Sequence, residues 1–261
     1  MTTAVQSSWA ALVGNPNSGK TAIFNLLTGL NQKVSNYPGV TVEKKTGQTR
    51  FADGSKFYLL DLPGTYSLTA QSMDERIVTE QVLNWIHGHE PPGVIVSVVD
   101  ATNLSRNLYL TTQLADLGIP VVVALNMMDM VKDEIKIDLD KLTNDLGIAA
   151  IVPMSAIEKW GQKELLEAVQ KSIDTAFVEN PFPIFLNDNI SKVLNPLEEI
   201  FKSQLRYNER LAKAQALRLV TRQSTLEIYD EMSVNGFTAD EAFMNTLRDK
   251  RQAAVDLLED T

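Results

Sequence analysis

Eight consecutive residues, Gly14-Asn15-Pro16-Asn17-Ser18-Gly19-Lys20-Thr21, have the spacing G-x-x-x-x-G-K-[ST]. A loop of this kind turns successive backbone N–H groups inward around a polyphosphate. The glycines permit close backbone approach, Lys20 reaches the β- and γ-phosphates, and the Thr21 hydroxyl is a hard oxygen suited to Mg²⁺. Further along, Asp61-Leu62-Pro63-Gly64 offers a carboxylate for the water shell of Mg²⁺ and a glycine N–H for a γ-phosphate. Asn126-Met127-Met128-Asp129 and Ser155-Ala156 bear on a base. Guanine presents N1–H and an exocyclic amine as adjacent donors, which one carboxylate such as Asp129 can take, while a backbone N–H near Ala156 meets O6. Adenine has no such donor pair.

These groups need a scaffold that brings them together, and the pattern between them supplies one. Trp9 to Val13 is a short apolar run that reads as a buried strand, and Thr21 to Leu27 reads as a helix stopped by Gly29. The phosphate loop therefore sits at a strand-to-helix turn, where the helix dipole also favours an anion. Residues 31–43 are polar and turn-rich and read as a flexible loop. Ala52-Asp53-Gly54-Ser55 is a hairpin signal between strands over 43–51 and 56–61. Ser72-Met73-Asp74-Glu75 caps a helix through Ile86, and 93–100 is a continuous β-branched run. A helix ending at Gly118, a strand over 121–125, a helix over 139–146, a strand over 148–154 and a closing helix over 162–177 follow. The alternation predicts an α/β fold with a mostly parallel sheet, and the polar residues recur past the carboxyl ends of its strands, where such sheets bind ligands.

The chain has 261 residues, a net charge of −9 and no cysteine, which rules out disulfides and thiolate metal sites. The acidic balance argues against a broad nucleic-acid surface, so no nucleic-acid partner is expected. No apolar run approaches the ~18 residues of a membrane span, and the first residues lack the basic-then-apolar pattern of a secretory signal. His87 and His89 are the only histidines; with no third ligand in view, the pair reads as an exposed helix end.

Asn180-Pro181-Phe182-Pro183 breaks the pattern. The expected organisation is a nucleotide-binding domain over 1–178, a linker over 179–184 and a small all-α domain over 185–261. In the last, Ile190, Val193, Leu194, Leu197, Ile200 and Phe201 follow helical spacing, a second helix covers Leu211 to Val220 and extends towards Tyr229, and Thr238-Ala239-Asp240-Glu241 caps a third. No residue there suggests catalytic chemistry.

Taken in order, Gly14 to Thr21, Thr41, Asp61 to Gly64, Asn126 to Asp129 and Ser155-Ala156 resemble the five guanine-nucleotide motifs of translation-factor-type small GTPases. More narrowly, several phrases resemble the cytosolic N-terminal part of the ferrous iron transport protein B (FeoB) family. They are the phosphate loop itself, Tyr37-Pro38-Gly39-Val40-Thr41-Val42-Glu43, Asp61 to Leu68, Val99 to Leu104 with Arg106 to Leu110, and Ala124 to Asp129. The resemblance is strong over about the first 175 residues and rests on layout alone beyond them.

It implies a Ras-like P-loop NTPase followed by a small, GDI-like all-α domain that couples to the transmembrane permease region of a longer protein. The chain would then be a soluble fragment from the cytoplasmic face of the bacterial inner membrane, with a homo-oligomer open. The implied activity is a Mg²⁺-dependent GTPase, hydrolysing GTP to GDP and phosphate as the regulatory motor of ferrous iron uptake. The nucleotide-binding residues carried over are Gly14 to Thr21, Gly39, Val40, Thr41, Asp61, Leu62, Pro63, Gly64, Asn126, Met127, Asp129, Ser155, Ala156 and Ile157. Lys20, Asn17, Thr41 and Gly64 take the catalytic roles, and Thr21, Thr41 and Asp61 hold Mg²⁺. Asn17, with backbone carbonyls near Asn36 and Tyr37, is implied to hold K⁺ beside the phosphates.

Two departures from the general GTPase pattern change the chemistry. Met127 stands where a lysine commonly follows the base-reading asparagine, so a thioether would pack over guanine. Thr65 and Tyr66 follow Gly64, so the glutamine that orients the attacking water in Ras-type enzymes is missing. Two other readings stand beside the first: an RNA- or ribosome-associated assembly GTPase, which calls for a basic RNA module after the nucleotide domain, and a nucleotide-sensing switch with negligible hydrolysis.

Overall fold

Seven strands form one sheet in the order β2-β3-β4-β1-β5-β6-β7. They are β1 (Trp9–Gly14), β2 (Gln32–Asn36), β3 (Glu43–Arg50), β4 (Lys56–Asp61), β5 (Val94–Asp100), β6 (Val121–Asn126) and β7 (Ala150–Pro153). The computed structural model describes residues 9–29, 32–37, 42–68, 72–86, 90–131, 137–175, 187–222, 225–227, 229–230 and 241–259. Strands β4, β1, β5, β6 and β7 run parallel, and the β2–β3 and β3–β4 pairs are antiparallel.

The parallel core explains the unbroken apolar runs. Every residue of β6 is buried, as are all of β5 except Asp100, because helices cover both faces. On one face, α1 (Lys20–Thr28) and α5 (Gln162–Asp174) bring Ile23, Phe24, Leu27, Leu165 and Val169 against Leu12, Val96, Val98, Val122 and Ala124. On the other lies α3 (Leu104–Ala115), where Thr111 bonds Ser97 of β5 at 2.9 Å. The remaining helices of this part are α2 (Met73–Ile86) and α4 (Leu139–Leu146). The chain leaves β1 first towards β4 and later towards β5, so the carboxyl end of β1 is the point where strand order reverses.

One segment departs from expectation. Within the stretch read as a flexible loop, Gln32–Asn36 forms β2, the outermost strand, paired from Gln32 opposite Gly47 to Asn36 opposite Glu43. All five residues are exposed. A strand with no buried face has no apolar alternation to announce it, and only the bonding groups of β3 give it its shape. Ends shift elsewhere: α3 stops at Ala115 rather than Gly118, and β7 begins at Ala150 rather than Ile148.

By Cα packing the chain divides into two compact units, 1–180 and 181–261. In the second, α6 (Asp188–Leu205), α7 (Glu209–Thr221) and α8 (Glu241–Glu259) bury Leu194, Leu197, Phe201, Ala212, Leu219 and Leu247. Asn187 and Asn208 cap α6 and α7, each accepting a backbone N–H at 2.8 Å. Helix α7 ends at Thr221, and residues 225–227 and 229–230 are helical again. The expected linker 179–184, the capping box at 238–240, Gly39 to Thr41, and His87 with His89 lie outside the described residues.

Candidate functional site

The phosphate loop joins β1 to α1 by a path that only a few residue types can follow. Gly19 has φ +86°, and a Cβ there would lie 2.1 Å from Asn126 Nδ2. Asn17 is exposed, also in the left-handed region at φ 67°, which asparagine tolerates better than most residues. Gly14 is closed in by the Val98 carbonyl, 2.8 Å from where a Cβ would be. The loop is tightened from inside: the Ser18 hydroxyl and N–H both donate to the Asn15 carbonyl, at 2.8 and 3.2 Å. Lys20 and Thr21 then open α1, with Thr21 exposed.

Asp61 ends β4 and is buried. Lys20 Nζ donates to its Oδ1 at 2.5 Å, so the lysine of the Gly14–Thr21 loop and the carboxylate at the end of β4 are in direct contact. Burial pushes the Asp61 carboxyl up, while Lys20 and, across the β3–β4 ladder, Lys45 pull it down. The segment after Asp61 is laced to β1. Leu62 N–H donates to the Leu12 carbonyl at 3.1 Å and Thr65 N–H to the Gly14 carbonyl at 3.2 Å. Gly64 lies against Pro16, with 3.2 Å left for a Cβ. Pro63 is half-buried beside it.

Asn126 ties the Ser155–Ile157 loop to the Gly14–Thr21 loop. Its Nδ2 donates to the Ser18 carbonyl and its Oδ1 accepts the Ala156 N–H, both at 3.0 Å. The Ala156 N–H therefore reaches a purine oxygen only by sharing or exchanging that bond. Met127, at φ 62°, places its methyl 3.6 Å from where a Gly19 Cβ would be, alongside the phosphate loop. Asp129 follows in a turn, half-exposed, and Ser155 starts a short loop closed by two backbone bonds to Trp160, each 3.2 Å. Ile157 at its tip is 74% exposed.

The structure thus brings Gly14 to Thr21, Asp61 to Gly64, Asn126 to Asp129 and Ser155 to Ile157 to one edge of the sheet, at the carboxyl ends of β1, β4, β6 and β7. Gly39, Val40 and Thr41 are not among the described residues. No group of three or more His, Cys, Asp or Glu among the described residues could hold a metal alone. The donors present, the Thr21 hydroxyl and the Asp61 carboxylate at the same end of the sheet as the Gly14–Thr21 loop, are the hard oxygen type that Mg²⁺ takes while keeping most of its waters.

Three side chains to which residue spacing assigned no part in this site also take part. Arg106 accepts the Asn15 amide on its carbonyl at 3.4 Å, and its guanidinium lies 4.2 Å from the Tyr66 ring centroid, joining the phosphate loop and the segment after Gly64 through α3. Glu75 of α2 accepts the Tyr66 N–H at 3.3 Å. Tyr37, just past β2, is buried. Arg106 and Tyr37 lie in phrases that carry the family resemblance, which was the available signal; nothing in the spacing gave their side chains a role.

Residues 8–169 match the family model for ferrous iron transport protein B. The Fe(2+) transporter FeoB of Salmonella typhimurium is 47% identical over 168 residues, which is 62% of this chain and 20% of that protein. The chain thus spans about a fifth of that curated relative's length. Among solved structures, a GDP-bound mutant of S. thermophilus NFeoB matches with TM-score 0.77 and 34% identity, covering 97% of this chain and 91% of that one. The cytosolic domain of L. pneumophila FeoB matches with TM-score 0.74 and 36% identity, over 96% and 98%. No helix among the described residues is long and apolar enough to cross a membrane.

Proposed function

Because this chain belongs to the ferrous iron transport protein B family and has the Ras-like G-domain fold, we propose that it binds GTP and GDP and hydrolyses GTP to GDP and phosphate. The observation that carries this is Asn126, whose two bonds join the Ser18 carbonyl of the phosphate loop to the amide of Ala156. One asparagine thereby fixes the distance between the part that grips phosphate and the part that reads the base. In this reading Asp129 takes the two guanine donors, Met127 packs against the base, and Lys20 leaves Asp61 for the β- and γ-phosphates. The Gly64 N–H faces the γ-phosphate. Thr21, Asp61 and Thr41 hold Mg²⁺, which supplies charge neutralisation between the phosphate oxygens.

Water orientation needs a group other than glutamine. Thr65 is fully buried with its hydroxyl on the Ser67 carbonyl at 2.6 Å, and the Tyr66 ring is occupied by Arg106. Asn17, exposed at the rim of the loop, is proposed to hold K⁺ there and so speed hydrolysis. The missing glutamine after Gly64 also supports a second reading, a nucleotide sensor that scarcely turns over. In the longer protein the chain is proposed to be the cytosolic part of a ferrous iron transporter, its helical unit coupling to a permease region.

The test is calorimetry with GDP, GTP and ATP, followed by single-turnover hydrolysis in KCl and in NaCl. Guanine-selective binding with faster turnover in KCl, and loss of that difference in Asn17→Ala, is the expected result. ATP competing as well as GTP sinks the guanine reading; negligible turnover in either salt selects the sensor.

A further inference from the structure

Tyr37 donates its N–H to the Val42 carbonyl at 3.0 Å, extending the β2–β3 pairing by one step. With Asn36 opposite Glu43 and Lys45 opposite Asp61, that step puts Tyr37 at the sheet edge from which Asp61 to Gly64 emerges. The side chain is only 7% exposed, with Lys44 Nζ 5.8 Å from the ring centroid. Burial and then the Asp61 charge hold the phenol well above its usual range, so it stays a neutral donor. Yet among the described residues the buried hydroxyl finds no hydrogen-bond partner. Lys20 and Asp61 satisfy each other, whereas Tyr37, at the same sheet edge, has a hydroxyl left unsatisfied among the described residues. A buried polar atom without a partner destabilises the arrangement that holds it, and such atoms are rare in native proteins.

We propose that the Tyr37 side chain is a metastable plug on the Asp61 side of the phosphate site, covering it in the chain alone and leaving when a nucleotide enters. The ring supplies the cover. The unpaired hydroxyl keeps the covered arrangement easy to leave, so nucleotide affinity is not lost to an over-stable closed form. This rests on the nucleotide reading above and adds to it a residue that sets the cost of opening. Phenylalanine at this position keeps the ring and removes the unsatisfied atom, so it strengthens the cover; alanine removes the cover.

The experiment uses the full 261-residue chain, stripped of nucleotide, with two readouts: the thermal midpoint without nucleotide, and calorimetric affinity for GDP with Mg²⁺. Tyr37→Phe should raise the midpoint and weaken GDP binding by about five- to tenfold, the size of one unsatisfied hydroxyl. Tyr37→Ala should lower the midpoint and tighten GDP binding. A Tyr37→Phe midpoint at or below wild type overturns the plug, as does unchanged GDP affinity in a wild type that binds GDP. Weaker GDP binding with an unchanged midpoint also overturns it, since that marks a plain contact to nucleotide. A folded wild type that takes up no GDP overturns the nucleotide reading and the plug together, so the two failures are told apart by the wild-type titration.

Discussion

Lys20 Nζ stands 2.5 Å from Asp61 Oδ1, with side chains 11% and 6% exposed, so the first turn of α1 and the last residue of β4 are pinned by an ion pair largely removed from water. Desolvation offsets much of the attraction in such a pair, but removing one partner leaves the other charge buried and alone. Lys20→Ala is therefore expected to lower stability by about 3 kcal/mol at pH 7, read by urea unfolding without nucleotide. An unchanged urea midpoint contradicts the pair. The same variant should lose GDP binding, because the charge on the phosphates goes with it.

Asn126→Ala removes two hydrogen bonds and leaves the Ser18 carbonyl and the Ala156 N–H, both in buried residues, without that partner. The expected loss is about 2–3 kcal/mol of stability. GDP affinity should fall by more than this local loss explains, since the phosphate and base halves are no longer held in register. If Asn126→Ala unfolds with the wild-type midpoint, the tie carries no weight.

Gly47 in β3 faces the end of α1, where a Cβ would lie 2.3 Å from Thr28 Cγ2 and 2.9 Å from Phe24 Cζ. Gly47→Ala should then destabilise by about 1–3 kcal/mol through overpacking. Thr28→Ser deletes the offending methyl and keeps the hydroxyl that bonds the Phe24 carbonyl at 2.8 Å. The double variant should recover part of the loss, and a double-mutant cycle in urea measures the coupling. Strict additivity would contradict the contact.

Glu198 is buried on α6, and burial raises its pKa against the pull of Lys202 and Lys213, with Glu209 and Glu199 adding to the rise. A carboxyl whose folded pKa lies above its unfolded value binds protons more readily when folded. Its contribution is therefore most favourable at low pH and declines as pH rises through the folded value. Glu198→Gln should be more stable than wild type at pH 7 and lose that advantage near pH 4, read as thermal midpoints across pH. The opposite slope would show the lysines dominating.

Much of this was legible along the chain. The parallel strands announced themselves because β1, β5 and β6 are covered on both faces and must be apolar throughout, and the glycines at 14, 19 and 64 stand where a Cβ meets a neighbour. Edge strand β2 was not legible, because a segment exposed on every residue carries no burial pattern. Nor was the partner of Ala156, since the amide of one loop and the side chain of another meet 30 positions apart in sequence.

The sequence alone determined which atoms are available: the amides of a glycine-bracketed loop, Lys20, the carboxylates of Asp61 and Asp129, and no glutamine after Gly64. Those are properties of residue type and short spacing, which survive without a fold. Only the tertiary structure decided how the atoms pair in the chain alone, with Lys20 on Asp61, Asn126 between Ser18 and Ala156, Arg106 over Tyr66, and Tyr37 buried with its hydroxyl unpaired among the described residues. The reason is that desolvation and hydrogen-bond satisfaction depend on neighbours brought from distant positions, which local spacing does not encode.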